Sequence, residues 1–562
     1  MKQILFVGIN AKYIHSNLAV RCLKEYAETH GVESAISVAE YTINQSADEI
    51  LEGIISFSPD VIGFSCYIFN IETVLKVVQS LKSVLPDCII FLGGPEAGTD
   101  RFSLMERYQE IDFVVRGEGE WPTTALLRAL EQGCGKYEEI PSLLYRDGNR
   151  LSETPLSDPL TDFGLPYHYT KEKIEGLEHK IIYFESSRGC PFRCSYCLSS
   201  ADKHLRFFPL DEVLDQFKLF LDCRVHQVKL IDRTFNCDAE RALLIWRFLE
   251  AHDNGVTNFH FEIAADLLTP NQLQLLSKVR PGLIQLEIGV QSTNPETIRA
   301  VHRKTDWETA RRKIAEIIRN QNVHVHLDLI AGLPKEGLFS FQKSFNEVYS
   351  LHPHQLQLGF LKLLSGSILA DEAERYGIVC RKYPPYEVLQ TDSLSFRELT
   401  FLKHIETLVD LFYNSGRFRA CLSLLESFFE APFELYENLE KCLERKGMTA
   451  RQLGKYGGYE LLLELCETRD PSRLPNLRHA AKYDIFSRER VQVLPDFLKL
   501  SITKQNSREI KSVLSSLPKG ADPQTYQVEY FPGNFFLPEG YVCFHYGKRD
   551  LYGNAETFFL PL

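Results

Sequence analysis

Apolar residues recur along this chain in two rhythms. Through roughly the first 140 positions, short β-rich runs alternate with segments whose apolar residues fall at helical spacing. The runs are QILFVGIN (3–10), SAISVAEY (34–41), DVIGFSCYI (60–68), CIIFLGG (88–94) and DFVVRGEGE (112–120), and the intervening segments include NLAVRCLKEYAETHG and IETVLKVVQSLKSVLP. Strands alternating with helices predict a parallel, doubly wound (Rossmann-like) sheet, whose ligands sit beyond the carboxyl ends of the strands. Four of the five runs end on turn or small polar residues: Gly8–Asn10, Ser65, Gly93–Gly98 and Gly117–Glu120. One crevice lined by glycine-rich loops follows.

Residues 141–178 carry Pro141, Pro155, Pro159 and Pro166 among many polar residues and read as a linker. The alternation then resumes. Candidate strands end at FESSRGC (184–190), KLIDRTFN (229–236), FHFEIAAD (259–266), LIQLEIGVQS (283–292), VHLDLIAGLP (325–334) and LQLGFLKLLSGS (356–367), each followed by a helix-like stretch. Six βα units fall short of the eight that close a full barrel, so a partial, open (βα)6 barrel is predicted over 179–384. Past Pro384 and Pro385 the pattern turns mainly helical from 396 to about 515, and the last stretch is aromatic and β-like. The expected layout is a doubly wound domain over 1–140, the linker, the barrel, and a C-terminal domain over 385–562.

A chain of 562 residues is too long for one core, which agrees with several domains. The net charge of -12 argues against a broad nucleic-acid surface. No signal-peptide pattern opens the chain and no apolar run of about 18 residues appears, so a cytoplasmic protein without a membrane span is expected. Of the 14 cysteines, eleven, including Cys22, Cys88 and Cys421, stand singly among apolar neighbours and read as small buried hydrophobes. Cys190, Cys194 and Cys197 are crowded together, which in a reducing compartment points to metal rather than to a disulfide.

These three lie in SSRGCPFRCSYCLSS, directly after a predicted strand, spaced C-x3-C-x2-C. A cubane iron-sulfur cluster on three thiolates keeps one iron open to another ligand. Zinc calls for a fourth donor, and the next candidate, His204, lies seven residues beyond Cys197. With this loop after its first barrel strand and Tyr196 before the last cysteine, the segment 179–367 resembles the radical S-adenosylmethionine (SAM) superfamily. The resemblance implies a [4Fe-4S] cluster whose open iron chelates SAM, and reductive cleavage to methionine and a 5′-deoxyadenosyl radical.

The other strand ends are similar to those of the anaerobic coproporphyrinogen dehydrogenase subgroup. On that resemblance Glu262 orients the methionine end of SAM, and Arg303, in VHRKTD, faces its carboxylate. Gln291, followed by Ser292, and Asp328 hold the ribose hydroxyls, and backbone near Gly332 meets adenine. Where many relatives carry a glycine-glycine-glutamate signature this chain reads DRTFN, leaving Asp232 and Thr234 as substitutes for its amino-group contacts.

A doubly wound domain ahead of such a barrel resembles the cobalamin-binding members of the superfamily. FLGGPEAG and VVRGEGE look like the two loops that cradle the corrin, through Gly93, Gly94, Gly98, Gly117, Glu118 and Gly119, with Ser65 meeting the nucleotide tail. The cobalt-ligating D-x-H-x-x-G motif is absent; the first loop reads GINAKYIHSNLA, and His15 is expected to be an ordinary helix-entry residue. The expected activity is methylation of an unactivated carbon of a small-molecule or peptide substrate, with a flavodoxin or ferredoxin as electron donor. A radical rearrangement or cyclisation, a methylthiotransferase using Cys22, Cys66 and Cys88, and a non-catalytic cobalamin or redox sensor are the alternatives.

Overall fold

The computed structural model describes residues 2–99, 101–133, 135–160, 164–200, 204–498, 508–510, 525–533 and 537–561. The chain divides into two compact units. The first is made of Met1–Leu286, Arg299–Thr305 and Leu361–Leu389, and the second of Glu287–Ile298, Asp306–Phe360 and Gln390–Leu562.

A seven-stranded sheet opens the first unit: β1 (Gln3–Asn10), β2 (Ala35–Thr42), β3 (Val61–Ser65), β4 (Ile89–Gly93), β5 (Phe113–Val115), β6 (Leu143–Asp147) and β7 (Arg150–Glu153), in the order β2-β1-β3-β4-β5-β6-β7. The strands β1 to β5 pair in parallel, as the alternation with helices requires. β1 and β3 are buried almost throughout because both faces are covered. Leu5, Val7, Ile62 and Phe64 pack with Ile50, Ile54, Val74 and Val78 of the helices Ala47–Ile55 and Ile71–Val84. Ile4, Phe6 and Phe91 pack on the other side with Val20, Leu126 and Leu130 of the helices Leu18–Thr29 and Glu120–Gln132.

The stretch expected to be a linker differs. β6 and β7 form an antiparallel hairpin that extends the sheet beyond β5. Pro141 and Pro155 stand just outside the two strands, so they bound the hairpin instead of breaking it, and Gly148-Asn149 supplies its two-residue turn, with Gly148 at φ 58°.

The second sheet has six strands, β8 (Ile182–Phe184), β11 (Gln227–Leu230), β12 (Asn258–Ile263), β13 (Ile284–Gln291), β14 (His324–Ala331) and β15 (Gln355–Phe360), ordered β15-β14-β13-β12-β11-β8. β11 runs parallel to β8 and β12, and β14 to β15. The end strands of the order remain edges, which is the open βα array the sequence predicts. Between β8 and β11, β9 (Ser187–Arg188) and β10 (Arg206–Phe207) form a two-residue antiparallel ladder.

The second unit is mainly helical beyond β15. The helices Leu338–Tyr349 and Pro432–Arg445 meet through Phe345, whose ring lies edge-on to Phe433 and Tyr436. Its last strands, β16 (Tyr526–Phe531), β17 (Gly540–Arg549) and β18 (Ala555–Pro561), make an antiparallel sheet, matching the aromatic, β-like pattern expected there. Lys482 on the helix Leu474–Arg488 is buried against it, with Nζ 3.0 Å from both Glu529 Oε2 and the Tyr530 carbonyl. Among the described residues no helix is long and apolar enough to cross a membrane.

Candidate functional site

The cysteine loop springs from the end of β8 and is tied at its base. In the β9–β10 ladder Arg188 faces Arg206 and Ser187 faces Phe207. Asp232, just past β11, is buried, and its carboxylate accepts from Ser186 N (2.7 Å), Ser186 Oγ (2.5 Å) and Ser187 Oγ (2.8 Å). Burial pushes its carboxyl up and the serine donors pull it down. Asp232 is thus spent on bracing the strand that enters the loop, in place of the SAM amino-group contact expected from its position. Thr234 does reach the loop, with Oγ1 3.7 Å from Cys190 Sγ.

Further ties hold the middle of the loop. Ser195 N donates to the Val301 carbonyl (2.9 Å), and Leu369 N to the Ser195 carbonyl (2.8 Å). Arg303 places Nη1 3.7 Å from Cys194 Sγ and 3.3 Å from Tyr196 Oη. Cys194 is buried, which raises its thiol pKa against the opposing pull of Arg303, while Cys190 and Cys197 are half-buried. Three thiols crowded on one loop, one of them beside the Arg303 guanidinium, fit a polynuclear cluster that leaves one iron open. Glu262, half-buried, sits near the carboxyl end of β12.

In the second unit, Gln291 ends β13 in the left-handed region at φ 70°, and its buried side-chain oxygen has no protein partner. Strain and an orphaned acceptor at the carboxyl end of a barrel strand fit a ligand-binding amide. Ser292 is held beside it, donating to Glu336 Oε1 at 2.7 Å; Ser344 and Ser340 donate to the same oxygen at 3.0 and 3.4 Å. Burial raises the Glu336 carboxyl to about 7. Asp328 Oδ1 lies 2.9 Å from His326 Nε2, and Glu287 completes a group of ligand atoms within 4.8 Å of one another. Gly332 turns the chain after β14 at φ 91°.

Back in the first unit, a cavity of about 540 Å³ opens beyond the carboxyl ends of β1, β3, β4 and β5. Ser65, Gly93, Gly94, Gly117, Glu118 and Gly119 line it, as expected, whereas Gly98 lies in the short helix Pro95–Thr99 outside the wall. Gly94 stands at φ 104°, and a Cβ there would meet the Cys66 carbonyl at 2.5 Å. Ser65 Oγ accepts from Asn17 Nδ2 at 3.0 Å, and Asn17 also caps the helix Leu18–Thr29. His15 opens onto the cavity with Nδ1 2.7 Å from Tyr183 Oη.

Tyr183, Glu185 and Arg188, from the stem of the cysteine loop, belong to the same wall, together with Glu120. Sequence reasoning passed over Asn17, Glu185, Arg188 and Arg206. Arg188 had one local signal, its place two residues before the first clustered cysteine. Cys22 lies inside the helix Leu18–Thr29, and Cys66 and Cys88 are buried.

A glycine-lined cleft on a doubly wound sheet, joined to an open βα array with a three-cysteine loop, defines a cobalamin-type radical SAM architecture. Family models agree: the B12 binding domain matches residues 4–127, the Radical SAM superfamily 184–348, and a protein of unknown function, DUF4080, 374–523. The chain therefore carries a B12 binding domain and a radical SAM domain ahead of a DUF4080 region, and these domains imply SAM, a [4Fe-4S] cluster and cobalamin.

It is 25% identical over 408 residues to the cobalamin-dependent radical SAM methyltransferase TokK of Streptomyces tokunonensis, covering 67% of this chain and 58% of that protein. It is 24% identical over 351 residues to the anaerobic magnesium-protoporphyrin IX monomethyl ester cyclase of Rubrivivax gelatinosus, covering 59% and 62%. The chain thus spans about three-fifths of the length of these curated relatives. The solved structure of the cobalamin-dependent SAM radical enzyme OxsB, with aqua-cobalamin and SAM bound, shares the fold at a TM-score of 0.61 and 15% identity, over 92% of this chain and 81% of that one.

Proposed function

We propose that this protein is an anaerobic cytoplasmic enzyme that methylates an unactivated carbon of a small-molecule or peptide substrate. Its three cysteines, Cys190, Cys194 and Cys197, hold the cluster, and the glycine-lined cleft holds cobalamin. One observation carries the reading. Glu185 and Arg188 are at once wall residues of the cleft and stem residues of the cysteine loop, so the two cofactor sites adjoin.

When bound, the cluster and SAM supply a carbon-centred radical and cobalamin supplies a transferable methyl group. The chain's own residues orient and hold. The Arg303 guanidinium, already beside Cys194, offers its fork to the SAM carboxylate. Gln291 and Asp328 take the ribose hydroxyls, Glu262 the methionine end and Thr234 the amino group. Gly94 lets the loop after β4 lie against the Cys66 backbone, and Ser65 meets the nucleotide tail. A flavodoxin or ferredoxin delivers the electron.

The test is anaerobic turnover of the reconstituted protein with hydroxocobalamin, reductant and SAM. It should release 5′-deoxyadenosine, and with substrate an equal amount of S-adenosylhomocysteine. No 5′-deoxyadenosine under reduction would instead support a sensor. 5′-Deoxyadenosine without S-adenosylhomocysteine would support cyclisation or rearrangement, a reading favoured by the likeness to the cyclase.

A further inference from the structure

The loop after β5 lines the cleft with its backbone but spends its carboxylates elsewhere. Glu118 takes Arg206 on both oxygens, through Nη1 to Oε2 at 3.1 Å and Nη2 to Oε1. Its Oε2 also lies 3.7 Å from Arg188 Nη1. Two residues on, Glu120 Oε1 sits 2.5 Å from Arg188 Nη2. Arg188 and Arg206 are the facing pair of the β9–β10 ladder that closes the cysteine loop. A single carboxylate from the cleft therefore grips both strands of the stem from which Cys190, Cys194 and Cys197 are presented.

These side chains are mostly buried, where ion pairs are screened less than at the surface and the guanidinium fork fixes direction as well as distance. Gly117 and Gly119 flank Glu118, Gly117 at φ 68°, so the cavity-facing backbone on either side of the carboxylate carries no side chain. Whatever fills the cavity bears on this backbone. Whatever the cysteines hold bears on the stem. Both loads meet at Glu118.

We propose that Glu118 is a positioning residue that couples occupancy of the corrin cleft to occupancy of the cysteine loop, each strengthening the other. The inference rests on the cofactor assignment above. Linkage makes the coupling reciprocal, and couplings of this kind are worth about 5- to 150-fold in affinity.

The experiment is an anaerobic titration of the full chain with hydroxocobalamin, followed by corrin absorbance, before and after chelation of the iron. Wild-type protein should bind at least about fivefold more tightly with its iron in place, and Glu118→Gln should bring that ratio to within about twofold of one. A merely structural loss would weaken both affinities alike and leave the ratio standing, which would overturn the proposal. Arg206→Gln removes the same pair from the stem side and must collapse the ratio too; it decides the matter if Glu118→Gln does not fold. A wild-type ratio of one, with iron and corrin both bound, overturns the coupling alone. Failure of the wild type to take up iron or corrin overturns the cofactor assignment and this inference with it.

Discussion

Glu336 offers the sharpest quantitative prediction. It is fully buried beneath Ser292, Ser340 and Ser344, with its carboxyl raised from 4.5 to about 7. Because the folded protein keeps this proton to a higher pH than the unfolded chain, it binds more protons between those two values. Stability associated with the group is therefore complete below the unfolded value and declines as pH rises toward 7. A difference of about 2.5 units at 1.36 kcal/mol each makes the decline about 3 kcal/mol. Glu336→Gln keeps an acceptor for the serines and does not titrate. Relative to wild type it should gain stability steadily from about pH 5 to about pH 8, by up to about 3 kcal/mol, as read from urea midpoints of the transition that reports the second unit. A difference independent of pH, or one that grows in the wild type's favour with rising pH, would refute the reasoning.

Three further outcomes follow from the geometry. Cys194→Ala should lose the bound iron and the visible iron-sulfur absorbance; full iron retention would sink the cluster assignment. Gly94→Ala sets a Cβ 2.5 Å from the Cys66 carbonyl at a left-handed backbone, a strain of about 1–3 kcal/mol, and should weaken hydroxocobalamin binding about tenfold. Gly98→Ala, whose nearest contact is 3.8 Å away, should leave that binding unchanged, and equal losses in the two variants would contradict the assigned cleft. Gln291→Ala removes the orphaned amide and should raise the dissociation constant for SAM about tenfold by equilibrium dialysis, about 1.4 kcal/mol, with no change meaning that Gln291 does not touch SAM.

What could be read directly was what is local. The cysteine spacing, the six strand-helix units and the glycine runs all express themselves within a few neighbouring residues; the structure has the strands of the open array and a glycine-lined cleft, with Gly98 outside its wall. Asp232 shows why the rest stayed hidden. An aspartate at a strand end reads the same whether it faces a ligand or braces a neighbouring strand, and here the deciding partners, Ser186 and Ser187, lie 46 and 45 residues away. The pairs of Arg188 with Glu120 and of Arg206 with Glu118 span 68 and 88 residues, far beyond any periodicity. The β6–β7 hairpin was masked because prolines at its borders look like prolines in a linker. The strain at Gln291 has no signature at all in composition, since glutamine rarely takes that conformation.

The stem of the cysteine loop has one more consequence, for life with oxygen. Small metal-nucleated domains unfold when their ion leaves, because the ion is what holds the chain together. Here the loop is closed by a β-ladder, an aspartate brace, backbone links through Ser195 and arginine ion pairs, all made between protein atoms. The thiols are presented by a stem whose ties are made without any bound group. A chain stripped in air of whatever the thiols hold is therefore expected to keep its fold around the loop, which an unchanged far-ultraviolet circular dichroism spectrum after chelation would show.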